Sequence, residues 1–220
     1  MIERPSPNHD ARPAGARVDI LLLHYTGMET AEAALDRLCD RAAKVSAHYT
    51  IDEDGSVYRH VAEERRAWHA GKSFWAGESD VNGRSIGIEL VNPGHEFGYR
   101  PFPEAQMAAL IPLAQDIVAR HAIPPRRVLA HSDVAPSRKQ DPGELFDWQR
   151  LAVAGIGLWP ETTKTRPDGD ARSLLERFGY DVTTNGVIAA FQRHYRPAKV
   201  DGVVDEETLA RLGALVAALD

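Results

Sequence analysis

The sequence predicts an α/β protein in which a mixed central β-sheet is flanked by helices and followed by a small three-helix domain. Short apolar runs typical of buried strands alternate with segments of helical periodicity between residues 18 and 155. One pair of strand-like segments surrounds an Asp-Gly dipeptide, which indicates a tight antiparallel hairpin within the sheet. The last part of the chain contains helical patterns only.

Four segments carry the strand predictions. Residues 18–26 and 84–92 are continuous apolar runs of the kind found in strands buried on both faces, and a shorter run ends residues 124–131. Residues 46–61 form the hairpin, because Asp-Gly supplies the positive φ angles that a tight turn requires. The Pro-rich lead-in before residue 18 is expected to be irregular.

Apolar residues at helical spacing predict helices over residues 29–43, 102–123 and 146–155. Pro103 lies at the start of the second, where proline is tolerated. Pro112 lies inside that helix and predicts a kink or a break, since proline lacks the N–H that a helix interior uses.

A polar stretch rich in Pro, Gly and Thr separates two units near residues 160–167. We therefore expect domains at residues 1–160 and 168–220, the second with three short helices. The middle helix is expected to begin after Thr183 or Thr184 as N-cap. Because a domain of this size is at the lower limit for independent stability, we expect it to dock on the larger one.

Composition and charge narrow the possible partners. The chain has 220 residues, of which 43% are hydrophobic and 26% charged, as in a soluble globular protein. A net charge of −6 argues against nucleic acid as a partner.

The sequence has neither a signal-peptide pattern nor an apolar run long enough for membrane insertion, so a cytoplasmic location is favoured. A periplasmic or cell-envelope location is the alternative if an export segment has been removed. The single Cys39 excludes an intramolecular disulfide, and we expect a monomer.

Polar residues at three strand ends indicate a reactive site. His24, Glu89 and His131 each occur within or directly after an apolar run, where sheets of this class place reactive groups. Two imidazoles and a carboxylate would make a three-ligand zinc site, and zinc held in this way activates water and polarises a carbonyl. The spacing leaves Asp133 and Asp141 both open as the third ligand.

The sequence resembles the zinc-dependent N-acetylmuramoyl-L-alanine amidases of the type 2 family, which share a fold with peptidoglycan recognition proteins. The resemblance covers roughly residues 18–151 and is carried by LLLHYT, RAWHAG, RSIGIELVN and AHSDVAPSRKQDPGELFDW. It implies one zinc ion held by His24, His131 and Asp141. It also implies that Glu89 is the general base or acid and that Lys139 is a catalytic residue, whose cation we expect to stabilise the oxyanion.

The C-terminal part resembles the small peptidoglycan-binding domain that accompanies many cell-wall hydrolases. Its recognisable pieces are AAFQRHY and DGVVDEETLARL. Both resemblances imply peptidoglycan or a muropeptide as the substrate and partner. The sequence leaves open which tail residues contact glycan.

Other polar residues near the motifs receive smaller roles. Asp133 is expected to shape the loop by capping backbone amides. Arg138 is expected to form a structural ion pair, with contact to substrate as the alternative. His48 is expected to be a hydrogen-bonded core or cleft residue. His69 is expected to touch substrate or to support a ligand, and Trp68 to stack on a sugar or to lie in the core. The remaining histidines receive no role.

Two other functions stay open beside the amidase. A binding protein of the same fold would recognise peptidoglycan without cutting it, although such relatives typically lose a metal ligand at the position of Asp141. A zinc peptidase would cut within the stem peptide, although the common H-E-x-x-H helix is absent from the sequence.

Overall fold

The computed structural model describes residues 1–161 and 167–219. The strands within the described residues are β1 (Ile2–Glu3), β2 (His9–Ala11), β3 (Ile20–Tyr25), β4 (Tyr49–Ile51), β5 (Val57–Arg59), β6 (Arg65–Ala67), β7 (Ser85–Leu90) and β8 (Val128–Ala130). Six of them form a mixed central sheet of order β1-β5-β4-β7-β3-β8, and β2 and β6 form a separate antiparallel pair. In the large sheet β3 runs parallel to both β7 and β8, whereas β4 and β5 form the predicted antiparallel hairpin. The predicted fold class is confirmed.

Helices cover the sheet and make up the C-terminal unit. Those in the described part of the chain are α1 (Ala31–Cys39), α2 (Val81–Arg84), α3 (Gly94–Phe97), α4 (Glu104–His121), α5 (His131–Val134), α6 (Trp148–Val153), α7 (Ala171–Phe178), α8 (Val187–Tyr195) and α9 (Glu206–Ala217). Within residues 1–161 and 167–219, no helix is both long and apolar enough to span a bilayer. The predicted domain boundary falls mainly on residues 162–166, which lie outside the described residues.

Two local predictions are wrong, and of the kink or break predicted at Pro112 the break is not found. The lead-in is ordered, because β1 pairs with β5, β2 pairs with β6, and the Asn8 amide donates to the backbone carbonyls of two residues that follow α1. The lead-in is held by hydrogen bonds to the backbone of other segments, and such bonds require no apolar periodicity in the sequence, so the sequence pattern does not predict its order. Helix α4 continues through Pro112 without a break, since its buried residues on both sides of the proline pack in the same core cluster as the sheet. The N-cap of α8 is Gly186 and not a threonine.

Gly186 is placed by a contact with the larger unit and not by side-chain capping. Its φ is +82°, and a Cβ atom there would lie 2.8 Å from the carbonyl oxygen of Pro136. Only glycine allows the C-terminal unit to come this close to the loop after α5. The start of α8 is therefore fixed by a tertiary contact, which local sequence does not report.

Both faces of the central sheet are buried, each in its own apolar cluster. Along β3, Leu21 and Leu23 pack with α4 on one face. Ile20 and Leu22 belong to the second cluster on the other face. That second cluster also contains buried residues of all three helices of the C-terminal unit, among them Leu174, Phe191 and Leu212. The C-terminal unit therefore packs against one face of the sheet, as its docking was expected to do.

This shared cluster predicts that the two units unfold together. Phe191 is fully buried, so Phe191→Ala should lower the free energy of unfolding by about 3–5 kcal/mol. The midpoints measured by far-ultraviolet circular dichroism and by tryptophan fluorescence in urea should shift together. Val153→Ala, at a side chain that is 84% exposed, is the control and should leave both midpoints nearly unchanged. Two separate transitions in Phe191→Ala would contradict a shared core.

Candidate active site

The parallel alignment of β3 and β8 brings two histidines together. Leu23 pairs with Ala130, so the next residues, His24 near the end of β3 and His131 directly after β8, lie side by side at the carboxyl ends of these strands. Asp141 reaches them because the loop after α5 folds back, and its backbone carbonyl accepts a hydrogen bond of 3.0 Å from the Ser132 amide. All three residues are at most 4% exposed. Of the two aspartates that spacing left open, Asp141 lies in this cluster and Asp133 does not.

The ligand atoms of the cluster lie close together. His24 Nδ1 and His131 Nδ1 are 2.9 Å apart, and Asp141 Oδ2 lies 3.1 Å from the first and 3.0 Å from the second. Around a tetrahedral zinc ion with bonds of about 2.0–2.1 Å, ligand atoms are separated by about 3.3–3.4 Å. The three observed distances are slightly shorter than this and, like those around a tetrahedral ion, nearly equal to one another.

The hydrogen bonds behind the histidines show where their protons lie. Ser85 Oγ donates to the Val81 carbonyl at 2.7 Å, so at 3.2 Å it accepts from His69 Nε2–H. His69 Nδ1 is then an acceptor and receives His24 Nε2–H at 3.0 Å. The proton assignment follows from the network. It leaves His24 Nδ1 with a lone pair that faces the cluster.

His131 is oriented in the same way. Its Nε2 lies 3.1 Å from the backbone carbonyl of Ala70, which can only accept, and farther, at 3.4 Å, from Arg138 Nη2. We therefore assign the proton to Nε2 and the lone pair to Nδ1. Burial, with repulsion from His131 in second place, lowers the pKa of His24 to about 4 and so keeps its imidazole neutral. Two lone pairs and a carboxylate therefore converge, an arrangement that repels itself unless a cation lies between them. The donor set fits a metal ion with nitrogen and oxygen ligands.

Glu89 and Lys139 flank this cluster. Glu89 lies on β7 directly beside His24 in the sheet register, and its Oε2 atom is buried with no hydrogen-bond partner in the described chain. Burial raises the pKa of Glu89 well above its usual range, the charge of Asp141 raises it further, and Lys139 opposes this. Among the described residues Lys139 forms no ion pair. An unpaired carboxylate oxygen and an unpaired ammonium group thus stand beside the metal-ligand cluster.

One open cleft of about 180 Å³ connects these groups. Its lining includes Glu89 and Lys139, two members of the cluster, the loop residues Trp68 and His69, and part of α1 around Arg37. His69 lies behind His24 and supports it, while both His69 and Trp68 also face the cleft. Contact of either residue with substrate stays a prediction.

Gly87 makes room for this support. It lies on β7, and a Cβ atom at this position would be 2.5 Å from Nδ1 of His69. The glycine in the IGIEL run is therefore required by packing, which the sequence alone does not show.

His48 lies apart from the cluster, fully buried, and accepts a 2.9 Å hydrogen bond from the Gly87 amide, which agrees with its predicted core position.

Two loop residues depart from expectation. Arg138 makes no ion pair within the described residues. Its guanidinium donates to the backbone carbonyls of Ala70 and Lys72, so it holds the segment that in turn orients His131. Asp133 caps the Ala130 amide at 2.8 Å as expected, but it also contacts two side chains of the C-terminal unit, which the sequence did not suggest.

Comparison with known protein families matches each of the two units to the family that its motifs resemble. The model of the N-acetylmuramoyl-L-alanine amidase family matches residues 14–144, and that of a peptidoglycan binding domain matches residues 170–212. The chain is 40% identical to N-acetylmuramoyl-L-alanine amidase AmiD of Escherichia coli, over 94% of this chain and 85% of AmiD. It is 33% identical to 1,6-anhydro-N-acetylmuramyl-L-alanine amidase AmpD of Enterobacter cloacae, over 67% of this chain and 86% of AmpD.

Solved structures superpose over both units as well. The complex of E. coli AmiD with anhydro-N-acetylmuramic acid-L-Ala-D-γ-Glu-L-Lys has a TM-score of 0.81 at 38% identity and covers 94% of this chain and 92% of AmiD. Pseudomonas aeruginosa AmpDh3 with an anhydromuramic pentapeptide has a TM-score of 0.83 at 34% identity, over 94% of both chains. The resemblance stated from the motifs is confirmed. The chain belongs to the N-acetylmuramoyl-L-alanine amidase family.

Proposed function

We propose that this amidase uses a single zinc ion held by His24, His131 and Asp141. The observation that carries the proposal is the convergence of two imidazole lone pairs and one carboxylate at distances of 2.9–3.1 Å. Zinc bound there supplies Lewis acidity, which activates water and polarises a carbonyl. The substrate bond is the amide between the lactyl group of N-acetylmuramic acid, or of its anhydro form, and L-alanine of the stem peptide.

Glu89 and Lys139 supply the remaining chemistry. Hydrolysis adds water to the lactyl carbonyl and breaks the carbon–nitrogen bond, so one proton must leave the water and one must reach the amine. The free carboxylate oxygen of Glu89 is suited to carry that proton, because no hydrogen bond in the described chain competes for it. The Lys139 ammonium is suited to stabilise the negative charge that develops on the carbonyl oxygen.

The identity of the products tests the activity directly. Incubation with anhydro-muropeptides and with intact peptidoglycan, followed by mass spectrometry, should give peptide-free sugar and a stem peptide with a free N-terminal alanine. We expect cleavage of the anhydro substrate, because related structures of AmiD and AmpDh3 contain anhydromuramic peptides. Fragments cut within the stem would instead indicate a peptidase. Uncleaved substrates with stoichiometric zinc would indicate a binding protein.

The metal site predicts that Asp141→Ala loses zinc. Removal of the carboxylate leaves two neutral imidazoles, too few to hold the ion against dialysis. The zinc content of the dialysed protein, measured by elemental analysis, should fall from one equivalent to nearly none. The control is Asp116→Ala, which removes an exposed aspartate on α4 and should keep one equivalent. Equal zinc content in the two variants would exclude Asp141 as a ligand.

The assignment of Glu89 predicts a different result, because Glu89 lies outside the ligand cluster. Glu89→Gln should keep its zinc but lower kcat on a soluble muropeptide by about 10²–10⁴-fold, since the amide cannot accept the proton. Steady-state kinetics and zinc analysis on the same preparation check this. Glu64→Gln, at an exposed position, is the control. Full activity in Glu89→Gln would require another proton acceptor while leaving the amidase assignment intact.

A further inference from the structure

The side chain of Asp133 joins the metal-ligand segment to the C-terminal unit. Asp133 is 1% exposed. Its Oδ1 accepts a hydrogen bond of 2.6 Å from the Tyr180 hydroxyl, and its Oδ2 accepts one of 2.6 Å from His194 Nδ1 and one of 2.8 Å from the Ala130 amide. A buried carboxylate is costly unless it is hydrogen-bonded. Two of its three donors belong to the peptidoglycan-binding unit.

This contact lies directly behind a metal ligand. Asp133 belongs to α5, a single turn of four residues whose first residue is His131. So short a helix has little stability of its own, so its orientation depends on outside contacts. Asp133 bonds the amide that precedes His131 and, on the same oxygen, His194. His131 is thus held from one side by Ala70 and from the other through Asp133.

The two donors are themselves fixed in place. The His194 ring lies between Trp148 of the larger unit, with centroids 3.7 Å apart, and Tyr195, at 3.8 Å. The Tyr180 ring contacts Trp75 at 4.8 Å, and the Ala76 amide donates to the Gly179 carbonyl at 2.8 Å. Aromatic contacts and a backbone hydrogen bond therefore define where each donor points.

We propose that the C-terminal unit is part of the support of the metal site, with Tyr180 and His194 acting as positioning residues for His131 through Asp133. The proposal rests on the proposed function in that His131 is taken as a zinc ligand. It gives the unit a role beyond attachment to the cell wall. A tail that served only as a tether would leave zinc binding and the turnover of small substrates unchanged.

Tyr180→Phe and His194→Leu test the proposal, since each removes one donor to Asp133. Competition with a chromophoric chelator should show zinc affinity weakened by up to about tenfold in each, because the contact reaches the ligand through one further residue. On a soluble muropeptide, kcat should fall and KM should stay the same. His194→Asn, whose side-chain amide can place a donor near the position of Nδ1, should restore part of the loss.

Leu212→Ala is the matched control. It removes a fully buried apolar side chain of the C-terminal unit that gives Asp133 no hydrogen bond, and it should lower the unfolding midpoint without changing zinc affinity. If Leu212→Ala weakens zinc binding as much as the other two variants, the effect is general destabilisation and the proposal is overturned. Wild-type affinity and kcat in Tyr180→Phe and His194→Leu, with loss of activity on insoluble peptidoglycan alone, would likewise overturn it.

Hydrogen exchange separates this proposal from the proposed function. In metal-free protein, amides of residues 130–141 should exchange faster in Tyr180→Phe and His194→Leu than in the wild type or in Leu212→Ala. This result does not require zinc, so it would stand even if the wild type bound none. Unchanged exchange in this segment would refute the positioning role whatever the metal content.

Discussion

The direction of the hydrogen bonds around His24 and His131 is the constraint on which the site depends. Each imidazole gives its Nε2 proton to an acceptor behind it, His69 or the Ala70 carbonyl, and so turns a lone pair toward Asp141. If either acceptor were replaced by a donor, the ring would carry its proton on the inner nitrogen and could not ligate a metal. The chemistry of the cluster is therefore set by the groups that lie behind the two imidazole rings.

The sheet makes this arrangement rigid. Parallel pairing of β3 with β7 and β8 fixes His24, Glu89 and His131 at one edge, and burial of both faces holds the strands in register. Helix α4 covers one face and the C-terminal unit covers the other. The alternation of Leu21 and Leu23 with Ile20 and Leu22 explains why this strand reads as a continuous apolar run.

Much of this was predictable because it is local. His24, Glu89 and His131 stand out where apolar runs end, and the hairpin is encoded by its turn. Asp141 was not predictable from spacing, since its place depends on a loop that folds back, and only the family pattern selected it. The hydrogen-bond partners of Asp133 are not predictable from the sequence either, because they are distant in the chain. Tyr180 and His194 lie 47 and 61 residues away along the chain, and no periodicity connects them to it.

The way in which the C-terminal unit is held also limits how it can work. A tethered binding domain would leave the orientation of the cleft free, whereas this unit contributes an apolar face to the core and two hydrogen bonds to a buried carboxylate. Separation of the C-terminal unit from the larger unit would expose the apolar face of the sheet. It would also leave the carboxylate of Asp133 with one hydrogen-bond donor, and both changes cost free energy. Any surface that the unit offers to peptidoglycan must therefore face the polymer at a fixed angle to the cleft.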